Sequence, residues 1–473
     1  MDPPSSHPAA SSALLALFGL SSLITALDFT IVYVALPDIA RDLGFSPHAL
    51  QWVVSAYAIS FGGLLLLAGR LSDLVGRRRI FLGGMVLFAG GSMLGGLATA
   101  PGLLIGARII QGLGAAALFP STLALVNTTF AEGRQRDRAL GVWAAAGAGG
   151  LSLGALLGGV LTEAVGWRGV FFVNVPLTLL GVIGAVALLA GDPPRERSRG
   201  FDLPGALTGT AGASLLVFAT AQGSELGWTS AAVVLAALVA VALIAAFIAI
   251  ETSTDRPLLP LRLFQNLNLS AALGVIFVFG MTLNSIPYVL TQYFQAVLGL
   301  GALQAGLGFL VPTATITAGN LLGEPLVARF GVRAVLIGGL SAGAVGAALL
   351  TPAMTADSTY LAVLPGLVGF GLGLGVVFPA MFVAASTDMP ERDSGIASGL
   401  ASTALQIGTA AGLAVLVGIA TANVGGDSGD PSQTTIADGL QTGLYVVTAG
   451  TLAAIPAALA LPRRARPGRI APL

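Results

Sequence analysis

Asp28 is an acidic residue inside an apolar stretch of the chain. It lies in the run 27–37, within an apolar segment at residues 13–36. If that segment crosses a membrane, a carboxylate there costs roughly 3 kcal/mol unless it faces a cavity, pairs with a neighbour or takes up a proton. Acidic residues inside membrane spans are usually functional. The alternative is a structural acid that pairs with a neighbouring helix. Asp28 is therefore predicted to bind and release a proton.

Arg108 is the only arginine that falls well inside an apolar segment, at residues 101–124. Arginine stays charged when buried, so it needs partners that accept hydrogen bonds. Asp28, Gln111 and backbone carbonyl groups are the candidates. The alternative is a structural arginine whose side chain extends toward the membrane surface. We expect Arg108 to act with Asp28 in proton coupling.

Seven polar or aromatic residues within apolar segments are candidates to line a substrate cavity. They are Tyr33, Tyr57, Trp143, Asn284, Tyr288, Gln292 and Gln406. Each could instead serve as an ordinary hydrogen-bonding residue between helices.

No metal site, cofactor or enzyme active site is expected. The chain has no cysteine and no lysine, and its two histidines, His7 and His48, lie outside the interior of the apolar segments. Without lysine it cannot contain a Walker A loop, which excludes an ATP-driven pump in the same chain. No serine–histidine, histidine–glutamate or paired-carboxylate constellation lies in the apolar segments, so an intramembrane enzyme is not expected either.

The elements that must position these residues are transmembrane helices. Only 9 % of the residues are charged, whereas soluble domains contain about 25 %. A helix crosses the hydrocarbon core in about 20 residues. Fourteen apolar runs of that order are predicted as spans: 13–36, 49–69, 80–99, 101–124, 138–163, 169–190, 203–221, 230–250, 268–290, 303–322, 333–351, 359–386, 394–421 and 438–461.

The distribution of arginine predicts the orientation of these spans. If the N-terminus is cytoplasmic, all but three of the 22 basic residues fall in or beside inner loops, as the positive-inside rule requires. Both termini are therefore predicted to be cytoplasmic. No arginine precedes Arg41, so the first segment is interpreted as a span rather than a cleavable signal. The Ala- and Gly-rich, lysine-free composition suggests a bacterial inner-membrane protein.

The spans suggest a six–two–six organisation. We predict an N-terminal six-helix bundle at 1–190, linkers with an inserted helix pair at 191–267, a second six-helix bundle at 268–461 and a cytoplasmic tail at 462–473. The loop at 69–78 has a weak counterpart at 324–333, in which the glycine and the final arginine persist. Two such repeats with a site between them are typical of secondary transporters.

Two groups of glycines stand out by spacing. The first is an inner-loop group with charged residues, Gly69, Asp73, Gly76, Arg77 and Arg78. The second is a row in the fifth span, Gly141, Gly150, Gly154, Gly158 and Gly159. Small residues let helices approach closely, so spacing alone indicates only packing.

Together these features resemble the major facilitator superfamily, and within it the fourteen-span drug–proton antiporters. Residues 27–37 are similar to that family's first-helix signature, with Tyr33 in place of the usual Asn. Residues 69–78 match the inner-loop motif, and Arg108 with Gln111, Gly112 and Gly114 matches the fourth-helix motif. The glycine row fits the fifth-helix antiporter motif, with Ala155 where that motif has proline. Residues 167–176 are also typical of the family.

The resemblance implies a major facilitator fold with two six-helix bundles plus an inserted pair. It implies that Asp28 and Arg108 couple transport to protons, and that Asp73, Arg77 and Arg78 latch the two halves together on the inner face. It also implies that proton and substrate compete at Asp28. With one acid in mid-span, we expect neutral or monocationic amphipathic substrates.

The expected function is proton-coupled export of amphipathic drugs or antibiotics by a protein that works as a monomer in the lipid bilayer and binds no nucleic acid. Two alternatives remain open at this stage. One is a proton-coupled symporter that imports a small metabolite, and the other is a membrane receptor or assembly factor that transports nothing.

Overall fold

A computed structural model describes residues 8–130, 133–192, 202–254, 257, 259–387, 389, 391–421 and 432–461. These residues form helices and connecting turns, with no β-strand among them. The predicted all-α fold is confirmed. The predicted tail at 462–473 lies outside the described residues.

The first half of the chain contains helices that run back and forth, followed by the inserted pair. Their bounds are α1 (Pro8–Leu43), α2 (Pro47–Leu50), α3 (Trp52–Val75), α4 (Arg77–Gly96), α5 (Pro101–Thr129), α6 (Arg134–Val165), α7 (Gly169–Phe172), α8 (Asn174–Leu188), α9 (Leu203–Leu226) and α10 (Ala231–Ser253).

The second half begins with a 3₁₀ turn at Leu261–Gln265 and is less regular. A second 3₁₀ turn at Leu283–Ser285 and a π-helical turn at Tyr293–Val297 interrupt its first span. Its α-helices are α11 (Leu267–Met281), α12 (Ile286–Gln292), α13 (Ala302–Gly308), α14 (Leu310–Phe330), α15 (Val332–Ala353), α16 (Tyr360–Ser386), α17 (Glu391–Thr421), α18 (Gln433–Ala453) and α19 (Ile455–Leu459).

Four spans predicted as continuous helices are broken in the structure. The breaks fall between α7 and α8, α11 and α12, α13 and α14, and α18 and α19. A proline follows shortly after each break. These prolines are Pro176, Pro287, Pro312 and Pro456. Proline lacks an N–H donor and its ring clashes with the carbonyl four residues earlier, which lies at or next to the break in each case.

The internal repeat is visible in the backbone. Gly76 ends α3 and Gly331 ends α14, and both have positive φ angles, 115° and 84°. Residues other than glycine rarely adopt this conformation. The same sharp turn therefore joins α3 to α4 and α14 to α15, at the two loops that the sequence pairs.

Eleven helical stretches among the described residues are long and apolar enough to cross a membrane. The other three predicted spans are also helical, as α3, α6 and α9, but the total of fourteen spans stays a prediction. Large apolar side chains cover outward faces, such as Leu180, Leu238 and Val241, each about 60 % exposed. Such surfaces require lipid as the solvent.

Two seams join the halves of the molecule. In the α3–α17 seam, Thr403 Oγ1 donates a hydrogen bond to the Gly62 carbonyl at 2.7 Å. In the α6–α13 seam, Gly159 lies against Ala302 and Gly306. Within the first half, α1 packs along α6 and α4 along α5. In the second half, α16 packs against both α14 and α15.

The inserted pair packs across one of these seams. α9 contacts both α3 and α17, while α10 packs against α9. Thr210 Oγ1 donates to the Gly63 carbonyl at 2.8 Å, and the rings of Trp52 and Phe218 are 6.0 Å apart. The proposed division at residues 190, 267 and 461 stays a prediction, although these helices fit it.

Candidate functional site

Asp28 lies on the face of α1 that points into the first half, and it is fully buried. Three side chains donate hydrogen bonds to its carboxylate. Arg108 Nη1 reaches Oδ2 at 2.6 Å, and Gln111 Nε2 and Asn174 Nδ2 reach Oδ1 at 3.0 and 2.8 Å. Both carboxylate oxygens therefore have hydrogen-bond donors in this conformation, one of them charged.

Arg108, on α5, is as deeply buried as Asp28, at 1 % exposure. Its Nε donates to the Val53 carbonyl at 2.8 Å, and its Nη1 also donates to Gln111 Oε1 at 2.8 Å. The guanidinium lies 4.4 Å from the centre of the Tyr57 ring, a cation–π contact. The structure therefore brings together the two charged residues that the sequence placed in mid-span.

Two members of this network were not among the predicted site residues. Asn174 is the first residue of α8, and Ser92 lies on α4, where its Oγ accepts from Gln111 Nε2 at 2.8 Å. Asn174 belongs to the 167–176 motif, which is a signal that sequence reasoning could have used. Ser92 is a single serine in a glycine-rich helix and gives no such signal. We call Asp28, Arg108, Gln111, Asn174 and Ser92 the charge network.

Asn174 can be tested separately from the charged pair. Replacing it with leucine removes one donor from the Asp28 carboxylate, which should destabilise the protein by about 1–3 kcal/mol. Thermal unfolding in detergent measures this loss. Thr178→Val is the matched control, because Thr178 is buried one turn away and its hydroxyl donates within its own helix. Equal losses in the two variants would show that Asn174 does not support Asp28.

A cavity lies between the two halves, on the opposite side of α1 from Asp28. Its volume is about 80 Å³. Phe29, Thr30, Tyr33, Val34 and Ala155 line it from the first half. Asn284, Pro287, Phe309, Pro312, Thr313, Ile316, Thr317, Asn320, Phe370 and Leu374 line it from the second. Sites for drug-sized ligands measure roughly 300–1,000 Å³, so a substrate-bound state must be wider.

The helical repeat explains why cavity and carboxylate do not meet. Successive residues of an α-helix are about 100° apart around its axis. The cavity residues of α1 are centred at about 170° from Asp28 on this basis. Asp28 is not among the residues that line the cavity. The cavity and the carboxylate are therefore separate in this conformation, and direct competition between proton and substrate at Asp28 stays a prediction.

The predicted cavity residues divide into two groups. Tyr33 and Asn284 line the cavity, and Asn284 Nδ2 donates to Thr409 Oγ1 at 2.8 Å. The other five do not line it. Tyr57 is turned toward Arg108, and Trp143 packs on Phe119 with ring centres 5.2 Å apart. Both belong to helix faces inside the first half.

The remaining three are held in helix packing. Tyr288 is 3 % exposed and lies in the first turn of α12, directly after Pro287. Gln292 Nε2 lies 3.5 Å from the Tyr288 hydroxyl, one turn along the same helix. Gln406 lies in the α3–α17 seam, against Gly62. Their polarity in the sequence did not reveal which face they occupy.

Described contacts of the inner-loop residues form a capped helix start. The Arg78 and Arg79 backbone N–H groups donate to the two Asp192 carboxylate oxygens at 3.1 and 3.2 Å. Arg78 Nη2 donates to the Val186 carbonyl at 3.1 Å. These contacts lie within the first half. The side chain of Asp73 is outside the described part, and the latch formed with Arg77 and Arg78 stays a prediction. Gly69 packs near Pro120.

The fifth-span glycines pack α6 against α1 at one-turn intervals. A Cβ atom at Gly150, Gly154 or Gly158 would lie 2.6, 2.5 or 2.6 Å from the carbonyl oxygen of Leu23, Leu27 or Ile31, respectively. Gly159 faces α13 instead, and Gly141 has open space around it. Ala155, at the position of the motif proline, lines the cavity.

Alanine substitutions should distinguish the glycines that pack against α1 from those that do not, by their effect on stability. Gly154→Ala and Gly158→Ala force α6 away from α1 and should each destabilise the protein by about 1–3 kcal/mol. Gly141→Ala is the matched control and should be neutral or stabilising, since alanine favours helix by about 1 kcal/mol over glycine. Unfolding midpoints of the three purified variants test this. Similar behaviour of all three would contradict the packing interpretation.

The halves are closed together at the end where α1 terminates, which we call the far side. Gln295 Nε2 donates to the Val34 carbonyl at 2.7 Å, and the Thr421 hydroxyl lies 3.0 Å from His48 Nε2. Gly159 and its α13 contacts lie at the same end. These contacts form the far-side closure, which α1 and α6 share with the second half.

Known proteins resemble this chain along most of its length. The profile of the Major Facilitator Superfamily matches residues 18–413. The chain is 39 % identical over 437 residues to the cephamycin export protein CmcT of Amycolatopsis lactamdurans, covering 90 % of this chain and 88 % of that protein. It is 39 % identical over 410 residues to the puromycin resistance protein pur8 of Streptomyces alboniger, covering 85 % and 80 %. It is 35 % identical over 398 residues to the multidrug resistance protein Stp of Mycobacterium tuberculosis, covering 84 % and 74 %.

Proposed function

Because this chain belongs to the Major Facilitator Superfamily, we propose that it exports antibiotics or other amphipathic drugs in exchange for protons. It is a multi-pass membrane transporter and not an enzyme. The relatives that support drug export are a cephamycin export protein, a puromycin resistance protein and a multidrug resistance protein. The proton as the exchanged ion is supported by the chemistry of the site.

The observation that carries proton exchange is the buried ion pair of Asp28 and Arg108, at 2.6 Å with both side chains at or below 1 % exposure. Protonation of Asp28 removes the negative charge of its carboxylate. The positive charge of Arg108 then remains buried without a counter-ion. Loss of a partner from a buried ion pair is strongly unfavourable. Protonation of Asp28 therefore changes which arrangement of α1, α5 and α8 is stable.

α1 can carry this change to the substrate. The same helix holds Asp28, four residues of the cavity wall and the Val34 carbonyl that accepts from Gln295 in the far-side closure. A shift or rotation of α1 in response to protonation alters cavity and closure together. The exchange is thus indirect, and substrate need not touch Asp28. This is an alternative to the direct competition suggested by the sequence.

The predicted topology determines which side of the membrane the closed end of this conformation faces. With both termini in the cytoplasm of a bacterial cell, the far side is extracellular and the closed end faces outward. The cavity in this state receives substrate from the inner side. Proton entry at an inside-negative potential of 100 mV supplies about 2.3 kcal/mol per proton for the return.

Everted membrane vesicles test the function directly. Vesicles are energised, a pH-sensitive dye reports the acidity of the lumen, and uncharged and cationic antibiotics are added one by one. Release of lumenal protons on addition of a drug supports antiport, and vesicles from cells that lack the protein are the control. Drug that leaves the acidic lumen together with protons, instead of entering in exchange for them, would indicate a proton-coupled importer and contradict the proposal.

A further inference from the structure

The cavity between the halves contains no charged side chain among the residues that the structure describes. Its wall consists of apolar residues, three threonines, two asparagines and Tyr33. The fully buried acid of α1, Asp28, lies on the opposite face of that helix and is occupied by three donors. A cationic substrate in this cavity would lose its hydration without gaining a counter-ion, which is strongly unfavourable.

Most polar groups of the cavity wall already have partners. Asn284 donates to Thr409, Thr317 donates to the Thr313 carbonyl at 2.9 Å, and Thr30 donates within its own helix. Two atoms differ from these. The Tyr33 hydroxyl and the Asn320 side-chain oxygen are buried and have no hydrogen-bond partner among the described residues. Buried polar atoms are usually satisfied, so each such exception calls for a ligand, a water or a role.

These two atoms come from different halves of the protein. Tyr33 lies on α1 and is 2 % exposed, and Asn320 lies on α14. The Asn320 oxygen can accept one hydrogen bond or two, while the Tyr33 hydroxyl can donate and accept. A molecule that bridges them would contact both halves at once. Tyr33 is also the position at which this chain departs from the first-helix signature that it otherwise resembles.

We propose that this cavity selects uncharged amphipathic molecules that carry hydroxyl or amide groups, and that Tyr33 and Asn320 recognise those groups from the two halves. The proposal rests on the transport function proposed above and narrows its substrates, since permanent cations are excluded. Apolar contacts with residues such as Phe29, Phe309 and Phe370 supply the remainder of the binding surface.

Equilibrium binding to the purified protein in detergent tests the proposal without any ion gradient. The probes are a panel of uncharged compounds with hydroxyl or amide groups, chloramphenicol among them, and the permanent cation tetraphenylphosphonium, which has neither group. We expect binding of uncharged members and none of tetraphenylphosphonium. Tyr33→Phe and Asn320→Leu should each weaken binding about tenfold, the effect of one lost hydrogen bond of about 1.4 kcal/mol.

Thr317→Val is the matched control, because Thr317 lines the same cavity but its hydroxyl is bonded within α14. It should leave binding unchanged. A gain of function gives a second test: Asn320→Asp places a carboxylate in the wall and should permit tetraphenylphosphonium to bind. Thermal unfolding of each variant shows that it is folded.

Three results would overturn the proposal: no binding by any uncharged member, binding of tetraphenylphosphonium by the unmodified protein, or unchanged binding in both the Tyr33 and Asn320 variants. The last result would indicate that a water molecule satisfies these atoms. A protein that binds the uncharged compounds as expected but releases no protons in vesicles would contradict the exchange proposal and leave this one standing. If only cationic drugs release protons in vesicles, the exchange proposal stands and the selectivity proposed here is contradicted.

Discussion

Replacing Asp28 with asparagine should abolish the accumulation of substrate against a gradient while leaving passive exchange of substrate intact. Asparagine has nearly the same size and can still accept hydrogen bonds, but it cannot exchange a proton. One proton crossing 100 mV provides about 2.3 kcal/mol, which corresponds to about a fiftyfold concentration ratio. The variant should bring this ratio close to one. Passive exchange survives because the cavity lies on the other face of α1.

Proteoliposomes to which labelled drug is added from outside provide both measurements. Accumulation is followed under an imposed proton gradient, and counterflow is followed with unlabelled drug inside and no gradient. Asp42→Asn is the matched control, because Asp42 is an acid near the end of the same helix and is bound by Trp167 and Arg168 at the surface. It should accumulate drug normally. Undiminished accumulation by Asp28→Asn would rule out Asp28 as the coupling residue.

The second large effect concerns the stability of the charge network. Arg108→Ala leaves the Asp28 carboxylate buried without its cation, which should destabilise the protein by about 3–5 kcal/mol. The double variant Asp28→Asn, Arg108→Gln removes both charges and should recover most of this loss. It should still not accumulate substrate. Stability and coupling are thus expected to separate in the double variant.

Thermal or denaturant unfolding in detergent measures the stability of Arg108→Ala. It also measures Asp28→Asn, Arg108→Gln and their double variant as a cycle, which isolates the interaction between the two residues. Arg168→Ala removes a guanidinium from an exposed pair with Asp42 and should have a much smaller effect. If Arg108→Ala unfolds no more readily than Arg168→Ala, the buried pair does not stabilise this conformation. Additive effects in the cycle would lead to the same conclusion.

The partners within the charge network differ in how far the sequence could predict them. Asp28 and Arg108 were identifiable because a charge in an apolar segment is rare and needs a partner. These two residues carry opposite charges and are the only charged residues predicted in mid-span, so pairing with each other was the simplest arrangement. Gln111 could also be predicted as a partner of Arg108, because it lies one helical turn away on the same helix face. Asn174 and Ser92 could not be selected this way, because uncharged polar residues are common in membrane helices.

The cavity was harder to predict than the charge network. Its wall depends on how the two halves face each other, and this is a tertiary property that no local pattern encodes. Polarity alone assigned Tyr57, Trp143 and Gln406 to it, although helix packing directs them elsewhere. The breaks at Pro287 and Pro312 rotate the residues that follow them. The sequence contained both prolines, but not the angle through which they turn the chain.

The inserted pair has a consequence for the route by which substrates arrive. α9 lies across the α3–α17 seam and contacts the helix on either side of it, so membrane lipid is kept away from that joint. In the described residues it makes no comparable contact with α6, α13 or α14. The two joints therefore face different surroundings, one protein and the other hydrocarbon. Under the predicted topology, we expect an amphipathic drug dissolved in the inner leaflet to meet α9 on one flank and to find a sideways path to the cavity on the α6–α14 flank.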